Sequence, residues 1–352
     1  MICPNIEPDA GVDEYVCAHP TVALDRRFIY REQFPLTDKI HLESRKEQMN
    51  YPPLARACLG NAGFAVQITG RRCQVLLSIC DRLFDAKQHD SGTSVRVGES
   101  SLHLNLANPS ERLLYYAPYN LLHFYRRSPL FFIMEQLAGS PGLFVDIGAN
   151  LGLYSLLARH LGYQTLLFEP EPVHYAFLSR NADVIGTPID CALSDRPGTA
   201  EFFISDQSNP GSSSLVMPHT GGRPAPEKHA ISVRLSTFDS ILVERGLDPA
   251  SIRLIKIDVE GNEERTVLGM RGYLARATSA PVWCEVRGPS SGRCRNSVAA
   301  VTQVFAEYGY QPFSFKNRKL VPYQVGRDSA PQVFDLLYAV PARHGEVLQL
   351  SS

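Results

Sequence analysis

Residues 144–155 read FVDIGANLGLYS. An apolar run ends at Asp146, then come Gly148, Asn150 and Gly152, and then a helical pattern begins. That order predicts a strand, a tight turn and a helix N-terminus, where bare backbone can approach a nucleotide-like ligand. Three later apolar runs also end in acids: QTLLFEP at Glu169, RLIKIDVEG at Asp258 and Glu260, and APVWCEVR at Glu285. Ligands of open α/β sheets bind beyond the carboxyl ends of the strands, so these acids are the candidates for chemistry. Lys256, Asp258 and Glu260 alternate with Ile255, Ile257 and Val259, which predicts three charged side chains on one strand face. A lysine between a sheet and its helices is costly unless paired, so Lys256 is expected beside a carboxylate.

The turn limits the ligand. A dinucleotide site wants GxGxxG, whereas here Asn150 takes the place of the middle glycine and Asp146 would repel a passing pyrophosphate. A phosphate-binding P-loop is excluded because no GK[ST] follows. S-adenosylmethionine carries no phosphate. Its sulfonium and ammonium groups suit an acid at the end of the first strand, and its methionyl chain suits close approach at Gly148 and Gly152. Glu169, about twenty residues on at the second strand end, can accept hydrogen bonds from both ribose hydroxyls, as such an acid does in nucleotide folds generally.

These residues need a scaffold, and the sequence patterns one. From Leu143 onward strands alternate with helices. GLFVDIG precedes LGLYSLLARHLG, and QTLLFEP precedes EPVHYAFLSRNAD. Short strands are expected over 188–193 and 200–205, and a strand over 230–235 leads into the helix STFDSILVERG. RLIKIDVEG precedes NEERTVLGMRGYL with Asn262 as cap, and APVWCEVR precedes NSVAAVTQVFAEYG with Asn296 as cap. YQPFSF and VFDLLYAV follow as two late strands. This succession predicts a doubly wound, mostly parallel α/β sheet with an antiparallel C-terminal edge pair. Upstream, SVRVGESSLHLNL reads as a β-hairpin, and a helix broken at Pro129 is expected within 120–137. Residues 1–90 read as an irregular, partly helical N-terminal extension, with Val75, Leu76, Ile79, Cys80, Leu83 and Phe84 on one packing face. Residues 91–352 form the domain.

Lys and Arg total 35 against 36 Asp and Glu, a net charge of −1, so no basic surplus points to nucleic acid. The start lacks a basic, apolar leader, and the most apolar stretch, 121–137, is interrupted by charges and Pro129, so neither a secretory signal nor a membrane span is expected. The eight cysteines contain no CxxC pair. Scattered thiols of this kind suit a cytoplasmic protein.

Taken in order, FVDIGANLGLYSLLA, LLFEPEP, ALSDRPG, NPGSSSL, LSTFDSIL, LIKIDVEGNEERTVLGM and APVWCEVR resemble the FkbM family of S-adenosylmethionine-dependent methyltransferases over roughly Leu102 to Val340. The resemblance implies the class I Rossmann-like methyltransferase fold and methyl transfer to oxygen of a small-molecule, lipid or sugar hydroxyl. It implies that Asp146, Gly148 and Asn150 line the methionine part, Glu169 binds the ribose and Pro170 borders the adenosine. Ala192, Leu193 and Ser194 would lie beside adenine.

For the chemistry, Asp258 is the expected base or acceptor-positioning group, with Lys256 and Glu260 orienting it and Glu285 as a further candidate near Arg287. Oxygen ligands at Asp258, Glu260 and Glu285 would suit Mg²⁺, but the reading assigns no metal. The loop from 208 to 229 is a candidate lid, its His219 and His229 are expected in solvent, and His174 is expected at the surface. Tyr115, Tyr116, Tyr119, Phe124 and Tyr125 form an aromatic cluster for the acceptor pocket, the core or an oligomer interface. The alternatives are N-methyl transfer in the same pocket, a nicotinamide-dependent oxidoreductase, or a cofactor-fold binding protein without turnover. A homo-oligomer is compatible with everything above.

Overall fold

The computed structural model describes residues 93–349 apart from 98–99, 117–121, 123, 141, 205–212, 217–218, 221–222, 225–229, 289–297 and 327–332. The expected N-terminal extension with its packing face, the Asn296 cap and Tyr119 lie outside the described residues, as do the side chains of Tyr116, His219 and His229.

The hairpin β1 (Thr93–Val97) and β2 (Ser100–Leu104) forms as the alternation requires, with Val95 and Val97 buried against Leu102 and Leu104. Helices α1 (Pro109–Tyr116) and α2 (Pro129–Leu137) follow. Pro129 starts α2, at the position where its missing N–H costs nothing, and Ser128 caps the helix from Phe131 N. The expected break at Pro129 is therefore a helix beginning.

Next come β3 (Leu143–Ile147), α3 (Leu153–His160), β4 (Gln164–Phe168), α4 (Pro172–Arg180), α5 (Ala182–Ile185) and β5 (Thr187–Ile189). The strand expected over 188–193 divides at Asp190–Cys191 into β5 and β6 (Ala192–Leu193), which join different sheets. β7 (Gly198–Phe203), the two-residue strands β8 (His219–Thr220) and β9 (Arg223–Pro224), and β10 (Ala230–Ser236) lead to α6 (Phe238–Glu244), capped by Thr237.

β11 (Ile252–Ile257) ends one residue before Asp258. The helix expected from Asn262 onward splits at Gly269 into α7 (Glu263–Leu268) and α8 (Arg271–Leu274), and the Gly269 Cα at the break lies against the backbone carbonyl of Ser194. Asn262 makes no side-chain cap; its amide donates to Leu193 O instead. β12 (Val282–Arg287), α9 (Val298–Ala306), β13 (Gln311–Lys316), β14 (Lys319–Pro322), β15 (Val333–Ala339) and α10 (Gly345–Leu348) complete the chain.

The main sheet has the order β14-β13-β15-β12-β11-β3-β4-β5. β12, β11, β3, β4 and β5 run parallel, and β15 is antiparallel to both β12 and β13. The late strands thus number three rather than two. The hairpin turn at Asn317 and Arg318 adds β14, and its two positive φ angles match a tight hairpin turn. β6, β10 and β7 form a small second sheet.

Two cores cover the two faces of the main sheet. One packs Phe144, Leu167, Leu254, Trp283 and Leu337 under the hairpin, α2 and α3. The other packs Val145, Ile147, Ile255, Ile257 and Cys284 under α6 through α9. Chain order reverses between β3 and β11, which makes that crevice the place for a ligand. No helix among the described residues is long and apolar enough to cross a membrane.

Candidate active site

A cavity of about 230 Å³ opens over this crevice. Gly148, Asn150, Glu169, Pro170, Ala192, Leu193, Lys256, Asp258 and Glu260 all line it, so residues from four separate segments converge as the sequence anticipates. Asp146, Gly152, Ser194 and Glu285 stand outside the lining. Asp146 is 1% exposed and one layer back, where its carboxylate accepts from Ser155 Oγ at 2.8 Å and Lys256 Nζ at 3.0 Å. It serves the turn through Lys256, which also donates to Gly148 O at 2.9 Å. Gly152 sits under the turn as the left-handed residue before α3, where a Cβ would meet Ile185 and Leu178 at 2.7 Å. Ser194 packs under Gly269 with its side chain turned to Asp195.

Four of the turn's N–H groups are satisfied internally. Gly148 N and Ala149 N both donate to Phe168 O, Asn150 N donates to Glu169 Oε2 at 2.7 Å, and Gly152 N donates to Ala149 O. A pyrophosphate binds such a turn through these N–H groups, and here they are already committed. Glu169 also accepts from Glu171 N at 2.9 Å on its other oxygen. Two backbone bonds fix the carboxylate and leave further lone pairs on both oxygens for a diol. Burial raises the Glu169 pKa, against the His174 charge and these two bonds.

Gly148 is required twice. Its φ is +78°, and a Cβ would lie 1.8 Å from Asp258 O. Asp258 N in turn donates to Ile147 O at 3.0 Å. The GAN turn and Asp258 therefore meet backbone to backbone, and Lys256 links them a second time by bonding Gly148 O and approaching Asp258.

His174 is buried rather than at the surface, and it lines the cavity. Glu171 caps α4 and bonds the His174 ring at 2.9 Å. Burial alone would lower the His174 pKa, but the Glu171 bond and the charges of Glu169, Glu171 and Glu111 raise it.

The part of the cavity around Asp258 and Glu260 is acidic. Asp258 is half-buried, and its Oδ2 lies 3.6 Å from Lys256 Nζ. Glu260 does not continue the strand face: it takes φ +57°, and its Oε2 pairs with Arg287 at 2.6 Å. Arg287 also reaches Glu285 Oε1 at 3.2 Å. Glu285 stands opposite Asp335 across the β12–β15 ladder, where like charges destabilise. Burial and the Asp258 charge push Glu260 up to about 8 and Asp335 up to about 7. Burial raises Asp258 as well, against Lys256 and Arg287, and raises Glu285 well above the ordinary carboxylate range, with the Asp258 and Glu260 charges adding. Tyr125 lines the cavity, with Tyr154 edge-on at 4.7 Å, and burial pushes its phenol up to about 12.

Asp335 and Tyr154 were not singled out in the sequence. A lone acid within VFDLLYAV was the available signal for Asp335; Tyr154 carried none. Of the aromatic cluster, Tyr125 reaches the cavity, while Tyr115 packs on the core.

The strand order, with β15 inserted antiparallel between β12 and β13, defines an α/β domain of class I methyltransferase type. Residues 146–312 match the family model described as Methyltransferase FkbM domain. Over 152 residues it is 30% identical to 31-O-demethyl-FK506 methyltransferase FkbM of Streptomyces tacrolimicus, covering 36% of this chain and 58% of that protein. Over 156 residues it is 32% identical to methyltransferase sdnD of Sordaria araneosa, covering 36% and 59%. The chain thus spans 58% and 59% of the length of these curated relatives. Magnesium protoporphyrin IX methyltransferase of Synechocystis PCC 6803, with bound SAM, aligns at 10% identity and a TM-score of 0.31, covering 62% of this chain and 79% of that one.

S-adenosylmethionine is the cofactor of such a domain, and the residues present fit it. Glu169 offers carboxylate lone pairs for ribose hydroxyls, Ala192 and Leu193 offer an apolar wall for adenine, and the turn holds back its N–H groups from a phosphate.

Proposed function

We propose that this chain transfers a methyl group from S-adenosylmethionine to a hydroxyl of a small-molecule, lipid or sugar acceptor. The carrying observation is the convergence of the committed GAN turn, Glu169 and Asp258 on one cavity at the chain-order reversal. When bound, the cofactor supplies an electrophilic methyl carbon on sulfonium.

The chain's own residues do the rest. Glu169 binds the ribose diol. Gly148 and Asn150 border the methionine part, and Ala192 and Leu193 flank the adenine. Asp258 is the acid that faces the cavity beside the turn, so it balances the positive charge, the role first expected of Asp146, and it receives the acceptor proton as expected. Its raised pKa makes it a stronger base than an exposed aspartate. Lys256 is a positioning residue, since it ties Asp146 and Gly148 O together and stands 3.6 Å from Asp258. Glu260 and Arg287 bound the acceptor side. The acceptor is the expected partner, and a cytoplasmic location accords with this reading.

Calorimetric titration with S-adenosylmethionine and, separately, with NAD(H) tests it. Micromolar binding of the former alone is the expected result. Glu169→Ala should weaken it by about 1.5–3 kcal/mol, the worth of hydrogen bonds to a charged group. Binding of the nicotinamide instead would overturn the assignment. Methylation of amine but not hydroxyl acceptors would move the reading to N-methyl transfer.

A further inference from the structure

One carboxylate oxygen from each of Asp258, Glu260 and Glu285 lies within 4.8 Å of the other two. Opposed ligands of a six-coordinate magnesium or calcium ion stand about 4–5 Å apart. The three acids are therefore spaced as ligands of a hard divalent cation. Acids gather at strand ends for many reasons, and arginine often holds them. What matters here is what the basic residues leave over.

Arg287 takes Glu260 Oε2 and Glu285 Oε1. Lys256 bonds Asp146 and Gly148 O, and only approaches Asp258. Glu285 Oε2 has no hydrogen-bond partner among the described residues, on a side chain 2% exposed. A bare carboxylate oxygen inside a protein is expensive, and its second oxygen already has its partner. The charge balance points the same way. Asp146 matches Lys256. Arg287 then faces Asp258, Glu260, Glu263 and Glu285, with Asp335 beyond Asp258. One guanidinium cannot neutralise that set.

We propose that Asp258, Glu260 and Glu285 bind one divalent cation of the oxygen-preferring kind, with Glu285 Oε2 as a ligand. Arg287 holds one oxygen on each of two of the three, Glu260 Oε2 and Glu285 Oε1. The all-oxygen donor set suits Mg²⁺, Mn²⁺ or Ca²⁺ over zinc or iron. The open side faces the cavity through Asp258 and Glu260, where water or an acceptor oxygen completes the shell. This goes beyond methyl transfer, because the site is complete without cofactor.

The test uses the full chain, stripped with chelator and free of S-adenosylmethionine. Mn²⁺ is titrated in, and bound ion is counted by loss of the free-ion paramagnetic resonance signal. One saturable site, displaced by excess Mg²⁺ or Ca²⁺, is expected. Tb³⁺ then locates it: Trp283 is the sole tryptophan and lies two residues before Glu285, so Tb³⁺ emission excited selectively through tryptophan should appear and be quenched by Ca²⁺. Glu285→Gln and Asp258→Asn should each weaken Mn²⁺ binding by about tenfold or more. No saturable Mn²⁺ binding in the unmodified protein overturns the proposal and leaves protons as the neutralising charge. Binding without tryptophan-excited emission also overturns it, by placing the ion elsewhere. Neither result depends on a variant folding, and neither bears on cofactor binding.

Discussion

The two sides of the crevice carry buried charge in opposite ways. On the cofactor side, Asp146 is closed off by Ser155 and Lys256, and Glu169 by two backbone N–H groups. On the acceptor side, acids outnumber their cationic partners, Glu285 and Asp335 oppose each other, and one oxygen is bare. A satisfied buried charge stabilises a geometry; an unsatisfied one holds free energy that a ligand can release. The first side is built to hold its shape before anything binds. The second is completed by what binds.

The comparison breaks most readily at Asp258. Asp258→Asn removes the proposed proton acceptor and should lower turnover by about 10²- to 10⁴-fold, with S-adenosylmethionine affinity within a few-fold. Steady-state turnover beside calorimetry reads both; unchanged turnover sinks the base assignment. Lys256→Met probes the other side. It leaves Asp146 buried without its cation and should cost about 3–5 kcal/mol of stability in denaturant unfolding. A variant of full stability would show that the cofactor side is not held by charge.

Acidity sharpens the contrast further. Glu260 rises in the fold from its ordinary 4.5 to about 8, through burial and Asp258 and against Arg287. A carboxyl raised on folding binds more protons folded than unfolded, so its contribution is fully present below about 4.5 and is lost as pH rises toward about 8. Stability should therefore fall across that window, and Glu260→Gln should flatten the fall. A flat profile in the unmodified protein would deny the acid excess. The smallest effect belongs to a site outside both regions. Thr237→Ala removes the cap of α6 and should cost about 1 kcal/mol, with turnover untouched.

The geometry of the proposed cofactor side is legible in the sequence because its parts are local. A strand, two glycines and an acid at fixed spacing dictate a turn, and Gly148, Asn150 and Glu169 fall where their pattern places them. The acceptor side depends on contacts between distant strands. Asp335 reaches the cluster only because β15 inserts beside β12, an adjacency no local pattern carries. The alternation of Lys256, Asp258 and Glu260 misled for a related reason. It assumed a strand through residue 260, but β11 stops at Ile257, and the left-handed Glu260 turns its carboxylate to Arg287. His174 looked solvent-bound because it opens a helix; its partner is the cap residue of that same helix, and both are buried.

Displacement at a methyl carbon asks for reacting atoms in line at about 3–3.5 Å. Side chains that set such a spacing drift whenever a rotamer changes. Here Gly148 and Asp258 meet backbone to backbone, without room for a single carbon between them. On the proposed reading, the spacing between the turn and the Asp258 backbone is thus a property of the peptide skeleton. On that reading, substitutions around Glu169, or around Arg287, can retune affinity on either side without moving this backbone contact.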